Sequence, residues 1–281
     1  MEIKKPMVSV VIATYNRIEM LKVCIESLRV ELSHVSHELV IVDGGSVDGT
    51  IEWLSYQKDI ISVVQHNHGT FNGKQISRRP WAYFINIGFK ISQGTYILML
   101  SDDSLIRPGA VNNGLNFIEA KRALGHNIGG VAFYFRDYPI RKKFAVAVNV
   151  GNLYVNHGIF LNSAVKEVDY FDEDYHFYFS DTDIALKMKR QGYSILPSPN
   201  SFVEHYYDAD PEVRQRNNGD LKEQDRLRLI NKWCGIAYPS EKITEYLRVV
   251  GYWSEHETET DDETPEIRAL MTAQNRVKSK N

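Results

Sequence analysis

The first half of the chain alternates between short apolar runs and longer segments with helical spacing. The runs VSVVIA (8–13) and ELVIV (38–42) are continuous rather than alternating, which is typical of parallel strands buried on both faces. Between them, apolar residues recur at helical spacing, namely Ile18, Leu21, Cys24, Ile25 and Leu28. Strands that alternate with helices form a sheet covered on both faces. The pattern predicts an α/β fold with a Rossmann-like, mostly parallel central sheet.

Composition excludes several classes of protein. Lys and Arg number 33 against 36 Asp and Glu in 281 residues, so the net charge of −3 offers no basic excess to a nucleic-acid backbone. The longest apolar runs are far too short to span a bilayer and no signal peptide is recognisable, so any membrane contact would be peripheral. Cys24 and Cys234 are the only cysteines, which excludes a disulfide framework. A cytoplasmic protein without a nucleic-acid partner is predicted.

Three of the predicted strands end in polar clusters. The run VSVVIA is followed by TYNR (14–17), the run ELVIV by DGGSVDGT (43–50), and a later predicted strand, TYILML (95–100), by SDDS (101–104). The carboxyl ends of parallel strands lie along one edge of an open sheet, where ligands bind. The three clusters are therefore predicted to converge on one cleft, although each alone is also ordinary turn or cap chemistry.

The residues at this edge narrow the chemistry of the cleft. Neither a GxxxxGK(S/T) loop nor a GxGxxG motif follows the first strand, so the sequence lacks the usual backbone cradle for phosphates. The adjacent carboxylates Asp102 and Asp103 can instead hold a divalent cation that neutralises a diphosphate. Asp43 can accept hydrogen bonds from a nucleobase or a ribose. Together these residues predict a site for a metal and a nucleotide diphosphate.

Five segments match one family in their order and spacing. They are VSVVIATYNR (8–17), ELVIVDGGSVDGT (38–50), INIGFKISQGTYILMLSDDSLIRPGAV (85–111), FSDTDIALKMKRQGY (179–193) and VEHYY (203–207). Over most of residues 7–207 the sequence resembles glycosyltransferase family 2, whose members have the GT-A fold. The resemblance implies transfer of a sugar from a nucleotide-diphosphate donor to an acceptor hydroxyl, with inversion and with a divalent metal.

The resemblance also implies which residues bind the donor. They are Thr14, Tyr15, Asn16, Asp43, Ser46, Arg79 and Asp102. In this set Asp43 would bind the base and Ser46 would support its loop. Asp102 would contact the ribose or the metal, and Arg79 would contact the base or a phosphate.

Three further residues carry the implied metal and acceptor chemistry. Asp103 would be the main metal ligand, and His205 would complete the metal or diphosphate site. An imidazole ligand favours Mn²⁺ over Mg²⁺, so Mn²⁺ is the expected cation and Mg²⁺ the alternative. Asp181 stands where the family has its general base. The structural alternatives are that Asp181 caps a helix over 182–191 and that His205 is an ordinary, partly buried histidine.

The sequence departs from the family pattern at two positions. Ser101 stands where an Asp is common, and Ser180 replaces the usual Glu before the base. These departures leave open a non-catalytic protein that binds sugar nucleotides. A sugar-phosphate nucleotidyltransferase is the second enzymatic alternative, but it would need a glycine-rich, basic loop after the first strand, which ATYNR does not provide.

The chain is expected to divide into three parts. Residues 1–210 would form the GT-A domain, with a nucleotide-binding half (1–105) and an acceptor half (106–210). Residues 211–253 would form a helical extension, and 254–281 an acidic and then basic tail. The expected function is an inverting glycosyltransferase of glycan biosynthesis, with a UDP-sugar as donor and a glycan or glycolipid as acceptor.

Overall fold

The computed structural model describes residues 5–138, 140–141, 143–149, 151–206, 219–236 and 250–253, the last of these as backbone alone. The predicted tail lies outside the described residues. So does most of the predicted helical extension on either side of residues 219–236. The domain boundaries therefore stay predictions.

The central sheet is mostly parallel, as the sequence predicts. The strands are β1 (Val8–Thr14), β2 (His37–Asp43), β3 (Ile60–Val64), β4 (Thr70–Phe71), β5 (Lys74–Gln75), β6 (Tyr96–Met99), β7 (Ser104–Ile106), β8 (Ile128–Tyr138), β9 (Val146–Asn149), β10 (Asn152–Leu153), β11 (Gly158–Leu161), β12 (Ser194–Tyr206) and β13 (Val250–Trp253). Within the described part of the chain, eight of them form one sheet in the order β3-β2-β1-β6-β11-β8-β12-β7. β11 and β7 run antiparallel to their neighbours, and the other strands are parallel.

Helices cover the sheet and close a continuous apolar core. The helices are α1 (Ile18–Glu31), α2 (Thr50–Tyr56), α3 (Trp81–Ile91), α4 (Ala110–Ala123), α5 (Asn162–Glu167), α6 (Ser180–Arg190) and α7 (Asp220–Trp233). The predicted apolar face of α1, from Leu21 to Leu28, is buried. α3 packs so closely on β1 that a Cβ atom at Gly88 would lie 2.3 Å from Val11 Cγ1. Covered in this way, β1 and β6 are almost entirely buried, which explains their unbroken apolar sequences.

The strand order brings distant polar segments to one edge of the sheet. β1 lies between β2 and β6, and Thr14 at its end is aligned with Asp43 at the end of β2. β6 ends at Met99, directly before the SDDS segment. Because these three strands are parallel, their carboxyl ends meet at the same edge, as predicted.

The other half of the sheet brings an imidazole and a third carboxylate to this edge. β7 begins directly after Asp103 and pairs with β12, so that its first residue lies opposite His205. β12 also pairs with β8, which sets Asp137 opposite His205. Arg136 and Glu204, which directly precede Asp137 and His205, form a fully buried ion pair at 2.6 Å that joins β8 to β12. The register of these strands therefore fixes the position of His205 beside Asp103.

Candidate active site

The carboxylates of the SDDS segment are held by residues at the end of β1 and directly after it. The Thr14 hydroxyl donates to Asp102 Oδ2 at 2.8 Å. Arg17 Nη1 donates to Asp102 Oδ1 and to Asp103 Oδ2, each at 2.8 Å. Asp102 and Asp103 are only 3% and 6% exposed. With His205, these residues form one buried polar group, called here the carboxylate cluster (Thr14, Arg17, Asp102, Asp103 and His205).

The pKa values of the two adjacent carboxylates in this cluster are shifted in opposite directions. Burial, and then the charge of Asp103, raises the pKa of Asp102, although Arg17 opposes the shift. Burial would raise the pKa of Asp103 as well, but the positive charges of His205 and Arg17 outweigh it and lower that pKa below its usual range. Asp103 is therefore the more readily ionised member of the pair and the one better suited to bind a cation.

His205 lies between two carboxylates. Its Nδ1 lies 2.7 Å from Asp137 Oδ1, and its Nε2 lies 3.4 Å from Asp103 Oδ1. Burial alone would lower the pKa of His205, but the charges of Asp103 and Asp137 raise it to about 9. The longer contact is not a hydrogen bond, and Asp103 Oδ1 has no hydrogen-bond partner among the described residues. A buried, charged acceptor is thus left open toward the imidazole.

Asp103 and His205 are placed so that they could serve as two of the ligands of one divalent cation. No cluster of three or more His, Cys, Asp or Glu side chains in the described ranges is arranged to hold a metal ion. The separation of 3.4 Å between Asp103 Oδ1 and His205 Nε2 is nevertheless close to the roughly 3 Å between adjacent octahedral ligands with bonds of about 2.1 Å. Mg²⁺ usually takes its remaining ligands from water and substrate phosphates. The donor set therefore suits a cation that is shared with a diphosphate.

Asp43 is buried beneath the loop that follows β2. Its Oδ1 accepts the N–H groups of Gly45 and Ser46, each at 2.7 Å, and its Oδ2 accepts the Ser46 hydroxyl at 2.6 Å. Asn16 joins this loop to β1, because its N–H donates to Ser46 Oγ and its Oδ1 accepts the N–H of Val47, both at 2.8 Å. Asp43 is 0% exposed and shapes the loop. Contact of its carboxylate with a nucleobase stays a prediction.

Two of the predicted donor-binding residues, Tyr15 and Arg79, contact aromatic rings. The rings of Tyr15 and His68 lie 4.3 Å apart between centroids, at an interplanar angle of 20°. The neighbouring Asn67 accepts the N–H of Arg79 at 2.5 Å and donates to its carbonyl oxygen at 3.1 Å. The Arg79 guanidinium lies over the Tyr83 ring, 5.3 Å from its centroid. Asn67 therefore fixes the backbone of Arg79, while Tyr83 holds its charged end.

Asp181 lies inside the first turn of α6. The helix begins at Ser180 after the N-cap residue Phe179, so the alternative that Asp181 caps a helix beginning at residue 182 is wrong. Asp181 Oδ1 accepts the N–H of Thr182 at 2.7 Å. Burial raises the pKa of Asp181 to about 6, above the value of an exposed aspartate. A carboxylate with this pKa is a suitable proton acceptor near neutral pH.

The helix α7 holds the segment that leads into α6. Asp225 is fully buried, and its Oδ1 accepts the N–H of His176 at 2.7 Å and lies 2.9 Å from the Nδ1 atom of the same residue. Its Oδ2 accepts the N–H groups of Phe177 and Tyr178, each at 2.9 Å. Because these residues directly precede α6, Asp225 sets the path of the backbone toward Asp181.

Asp183, the next acid on α6, has a structural role. It is 0% exposed, and its Oδ1 accepts the Tyr175 hydroxyl at 3.1 Å and the Trp233 indole N–H at 2.7 Å. Its Oδ2 accepts from Lys232 at 2.9 Å. Asp183 thus faces α7 rather than a ligand, and it joins the first turn of α6 to the last turn of α7.

Replacement of Asp225 should lower stability strongly. In Asp225→Asn, one amide oxygen would remain for donors that now share two carboxylate oxygens, and buried N–H groups would lose their acceptor. We expect the free energy of unfolding to fall by about 2–4 kcal/mol. Urea unfolding followed by tryptophan fluorescence measures this change. Glu223→Gln, on the exposed side of the same helix, is the matched control and should keep the wild-type midpoint; equal midpoints for both variants would refute the role of Asp225.

The structure brings together part of the predicted site. Thr14, Asp102, Asp103 and His205 lie in the carboxylate cluster, and the loop above Asp43 adjoins it through the end of β1. Asp181 makes no hydrogen bond or ion pair with this cluster among the described residues. Its role toward the donor therefore stays a prediction.

Three residues in or near the carboxylate cluster were not predicted from the sequence. Arg17 could have been predicted, because it is the only cationic residue in the segment directly after β1. Asp137 follows the apolar run of β8, so the reasoning applied to the other strand ends would have found it. His157 lies in an irregular segment before β11, and only the strand register places it near His205.

A comparison of the sequence with family models supports the resemblance. The model of glycosyl transferase family 2 matches residues 9–144. The resemblance to glycosyltransferase family 2 is confirmed. The matched segment contains β2, β6, the SDDS segment and all of β1 except Val8, which together form the predicted donor side of the site. An uncharacterized glycosyltransferase of Bacillus subtilis, YwdF, is 27% identical over 233 residues, which are 78% of this chain and 82% of that relative.

Solved structures show the same fold. Mannosyltransferase PcManGT from Pyrobaculum calidifontis, in complex with GDP-Man and Mn²⁺, matches with a TM-score of 0.60 and 16% identity over 99% of this chain and 77% of that one. Residues 1–349 of S. aureus TarS, in complex with UDP-GlcNAc, match with a TM-score of 0.57 and 16% identity over 85% of this chain and 70% of that one. The predicted GT-A fold is confirmed.

Two further curated relatives are much longer than this chain. The matched region covers only 29% and 27% of their length. The activity, substrates and partners of these relatives are therefore not carried over to this chain. None of the helices in the described ranges is long and apolar enough to cross a membrane.

Proposed function

We propose that this protein is an inverting glycosyltransferase that moves a sugar from a UDP-sugar to a hydroxyl group of a glycan or glycolipid. The observation that carries the proposal is the convergence of three chain segments on the carboxylate cluster at the carboxyl edge of the sheet. An ionised carboxylate oxygen left open beside an imidazole suits a diphosphate bound through a cation. The family 2 match over the donor half supports the same reading.

The nucleoside would lie against the loops after β1 and β2. Tyr15 offers an aromatic face to the base, and Asn16, Asp43 and Ser46 hold the loop around it. Arg79 would supply positive charge to the base or to a phosphate. TarS is solved with UDP-GlcNAc and PcManGT with GDP-Man, so this fold accommodates more than one base. A uracil nucleotide is our proposal for this chain.

Asp103 and His205 would hold the cation, His205 through Nε2 after that atom has given up its proton, with Mn²⁺ proposed and Mg²⁺ as the alternative. When bound, such an ion would act as a Lewis acid on the diphosphate oxygens and stabilise the charge that grows on the leaving nucleotide. Asp102 would contact a ribose hydroxyl. Arg17 would keep both carboxylates in position, because its guanidinium bonds to each of them.

Asp181 would act as the general base. It would take the proton of the acceptor hydroxyl while the acceptor oxygen attacks the anomeric carbon of the sugar. The new carbon–oxygen bond would form on the face opposite the bond to phosphate, which breaks and leaves its electron pair on the nucleotide diphosphate. The configuration at the anomeric carbon would invert. The half-buried rings of Phe177 and Tyr178, just before α6, are suited to stacking on acceptor sugars.

A panel of donors tests the proposal. Purified protein would be incubated with UDP-, GDP- and dTDP-sugars in Mn²⁺, in Mg²⁺ and in EDTA, and the released nucleotide would be measured. We expect UDP release from one of the UDP-sugars with metal and none with EDTA. Failure to bind or turn over any donor in the presence of metal would refute the proposed function.

The reaction should lose rate at acidic pH. Because the base must be ionised and burial raises the pKa of Asp181 to about 6, kcat/KM for donor turnover should increase as the pH rises through about 6 and then level off. Initial rates between pH 4.5 and 8 would measure the midpoint. A midpoint near the ordinary aspartate value of about 4 would mean that Asp181 is not the base.

A further inference from the structure

His157 is buried beside His205 and has no part in the reaction proposed above. It is 2% exposed, and its ring centroid lies 5.3 Å from that of His205 and 5.2 Å from that of Phe135. The next residue, Gly158, has a φ of 149°, and a Cβ atom there would lie 2.2 Å from the Val131 carbonyl oxygen. The close approach of β11 to β8 therefore fixes the backbone at His157, whose carbonyl oxygen accepts the N–H of Phe133 at 2.8 Å.

One ring nitrogen of His157 is an unused donor. Nε2 lies 3.4 Å from the side-chain nitrogen of Asn156. An amide nitrogen only donates, so Nε2 accepts and the hydrogen of the neutral ring sits on Nδ1. Nδ1 is buried and has no hydrogen-bond partner in the described part of the chain.

A second buried atom next to His205 also lacks a hydrogen-bond partner among the described residues. Asp103 Oδ1 is buried and lies 3.4 Å from His205 Nε2, and the His205 ring is also the neighbour of the His157 ring. Buried polar atoms without partners are rare because each costs free energy, so two together point to a ligand. A carboxylate oxygen and an N–H donor that belong to two neighbours of the His205 ring complement a cation and a phosphate oxygen.

We propose that His157 donates its Nδ1–H to a phosphate oxygen of the donor diphosphate. The inference rests on the proposed function, because it needs a diphosphate next to the cation of Asp103 and His205. A neutral donor suits this position, because it binds the anion without adding a charge that would repel the cation. His157 is thus assigned as a diphosphate-binding residue contributed by the start of β11.

Calorimetry with UDP and with uridine, both in Mg²⁺, tests the assignment. His157→Phe keeps a ring against Phe135 but removes the donor, and it should weaken UDP binding by about 10- to 100-fold. His157→Asn places an amide nitrogen near the former Nδ1 position and should keep most of the affinity. Uridine affinity should not change in either variant, since the nucleoside alone does not reach His157.

Two results would overturn the assignment. One is equal UDP affinity in wild type and His157→Phe, as expected if only a water molecule bridges His157 to Asp103. The other is an equal loss of UDP and uridine affinity, which would indicate a general change in the pocket. A wild-type protein that binds neither UDP nor GDP would instead refute the proposed function, and this is known before any variant is made.

A measurement on the wild-type protein is independent of whether the variants fold. In protein labelled with ¹⁵N-histidine, NMR should show His157 with its hydrogen on Nδ1. That N–H resonance should shift when UDP and Mg²⁺ saturate the protein. A hydrogen on Nε2, or an Nδ1–H resonance that UDP does not move, would contradict the proposal.

Discussion

Asp181→Asn should reduce donor turnover by about 10²- to 10⁴-fold without weakening the binding of the nucleotide. The amide keeps the size of the side chain and an oxygen for the N–H of Thr182, but it cannot take a proton. Burial raises the pKa of Asp181, which means that the ionised carboxylate is disfavoured in the folded protein. The substitution should therefore leave Tm unchanged or raise it. Steady-state kinetics, calorimetry and thermal unfolding measure the three quantities.

Asp174→Asn is the matched control for this experiment. Asp174 lies in the segment before α6, is largely exposed, and pairs with Arg228 at 2.9 Å, so its variant should keep wild-type turnover. Full activity in Asp181→Asn would eliminate Asp181 as the base. Wild-type protein that binds a sugar nucleotide tightly but turns over none, with or without acceptor glycans, would favour the non-catalytic alternative that Ser180 leaves open.

Asp103→Asn should abolish the part of UDP affinity that depends on Mn²⁺. The amide fits the same space, but it lacks the charge that a hard cation requires of its ligand. Wild-type protein should bind UDP much more tightly in Mn²⁺ than in EDTA, while the variant should show the weaker affinity in both. Isothermal calorimetry with UDP and GDP measures the difference.

An aspartate far from the cluster controls for the loss of one charge. Asp59 bonds to Arg29 at 2.8 Å on the exposed surface, so Asp59→Asn should respond to Mn²⁺ as wild type does. Circular dichroism would verify that Asp103→Asn is folded, because the variant leaves Arg17 and His205 with one anion fewer. An unchanged response to Mn²⁺ in folded Asp103→Asn would refute the metal site.

The donor half of the fold could be predicted because its signals are local. The apolar runs of β1, β2 and β6 are buried on both faces, and such runs are visible without knowledge of the partners. The helical spacing of α1 and the polar ends of the strands are equally local. Parallel strands then share one carboxyl edge, so the meeting of Thr14 with Asp102 followed from the pattern alone.

The second half of the sheet could not be predicted in the same way. β11 has only four residues, yet it lies between β6 and β8 and runs antiparallel to both. β12 contains two register shifts, between Ser194 and Ile195 and between Pro197 and Phe202, so it lacks one continuous period. Pairing between distant segments decides these elements, and a single sequence does not display it.

The same limit applies to the site. Asp103 and His205 were recognisable from motifs, but the open oxygen of Asp103 and the buried N–H of His157 depend on strand register. The four contacts of Asp225 with the segment before α6 likewise join residues about fifty positions apart. Burial of the Asp181 carboxylate, which sets its pKa, could not be read from its neighbours in sequence.

A crystal structure of this protein with UDP and Mn²⁺, measured at a wavelength where manganese scatters anomalously, tests the central claim most directly. We predict one anomalous peak, from a manganese ion bound by Asp103 Oδ1, His205 Nε2 and the diphosphate. The base should lie beside Tyr15. A nucleotide bound elsewhere, or manganese bound to the diphosphate without contact to Asp103, would contradict the account.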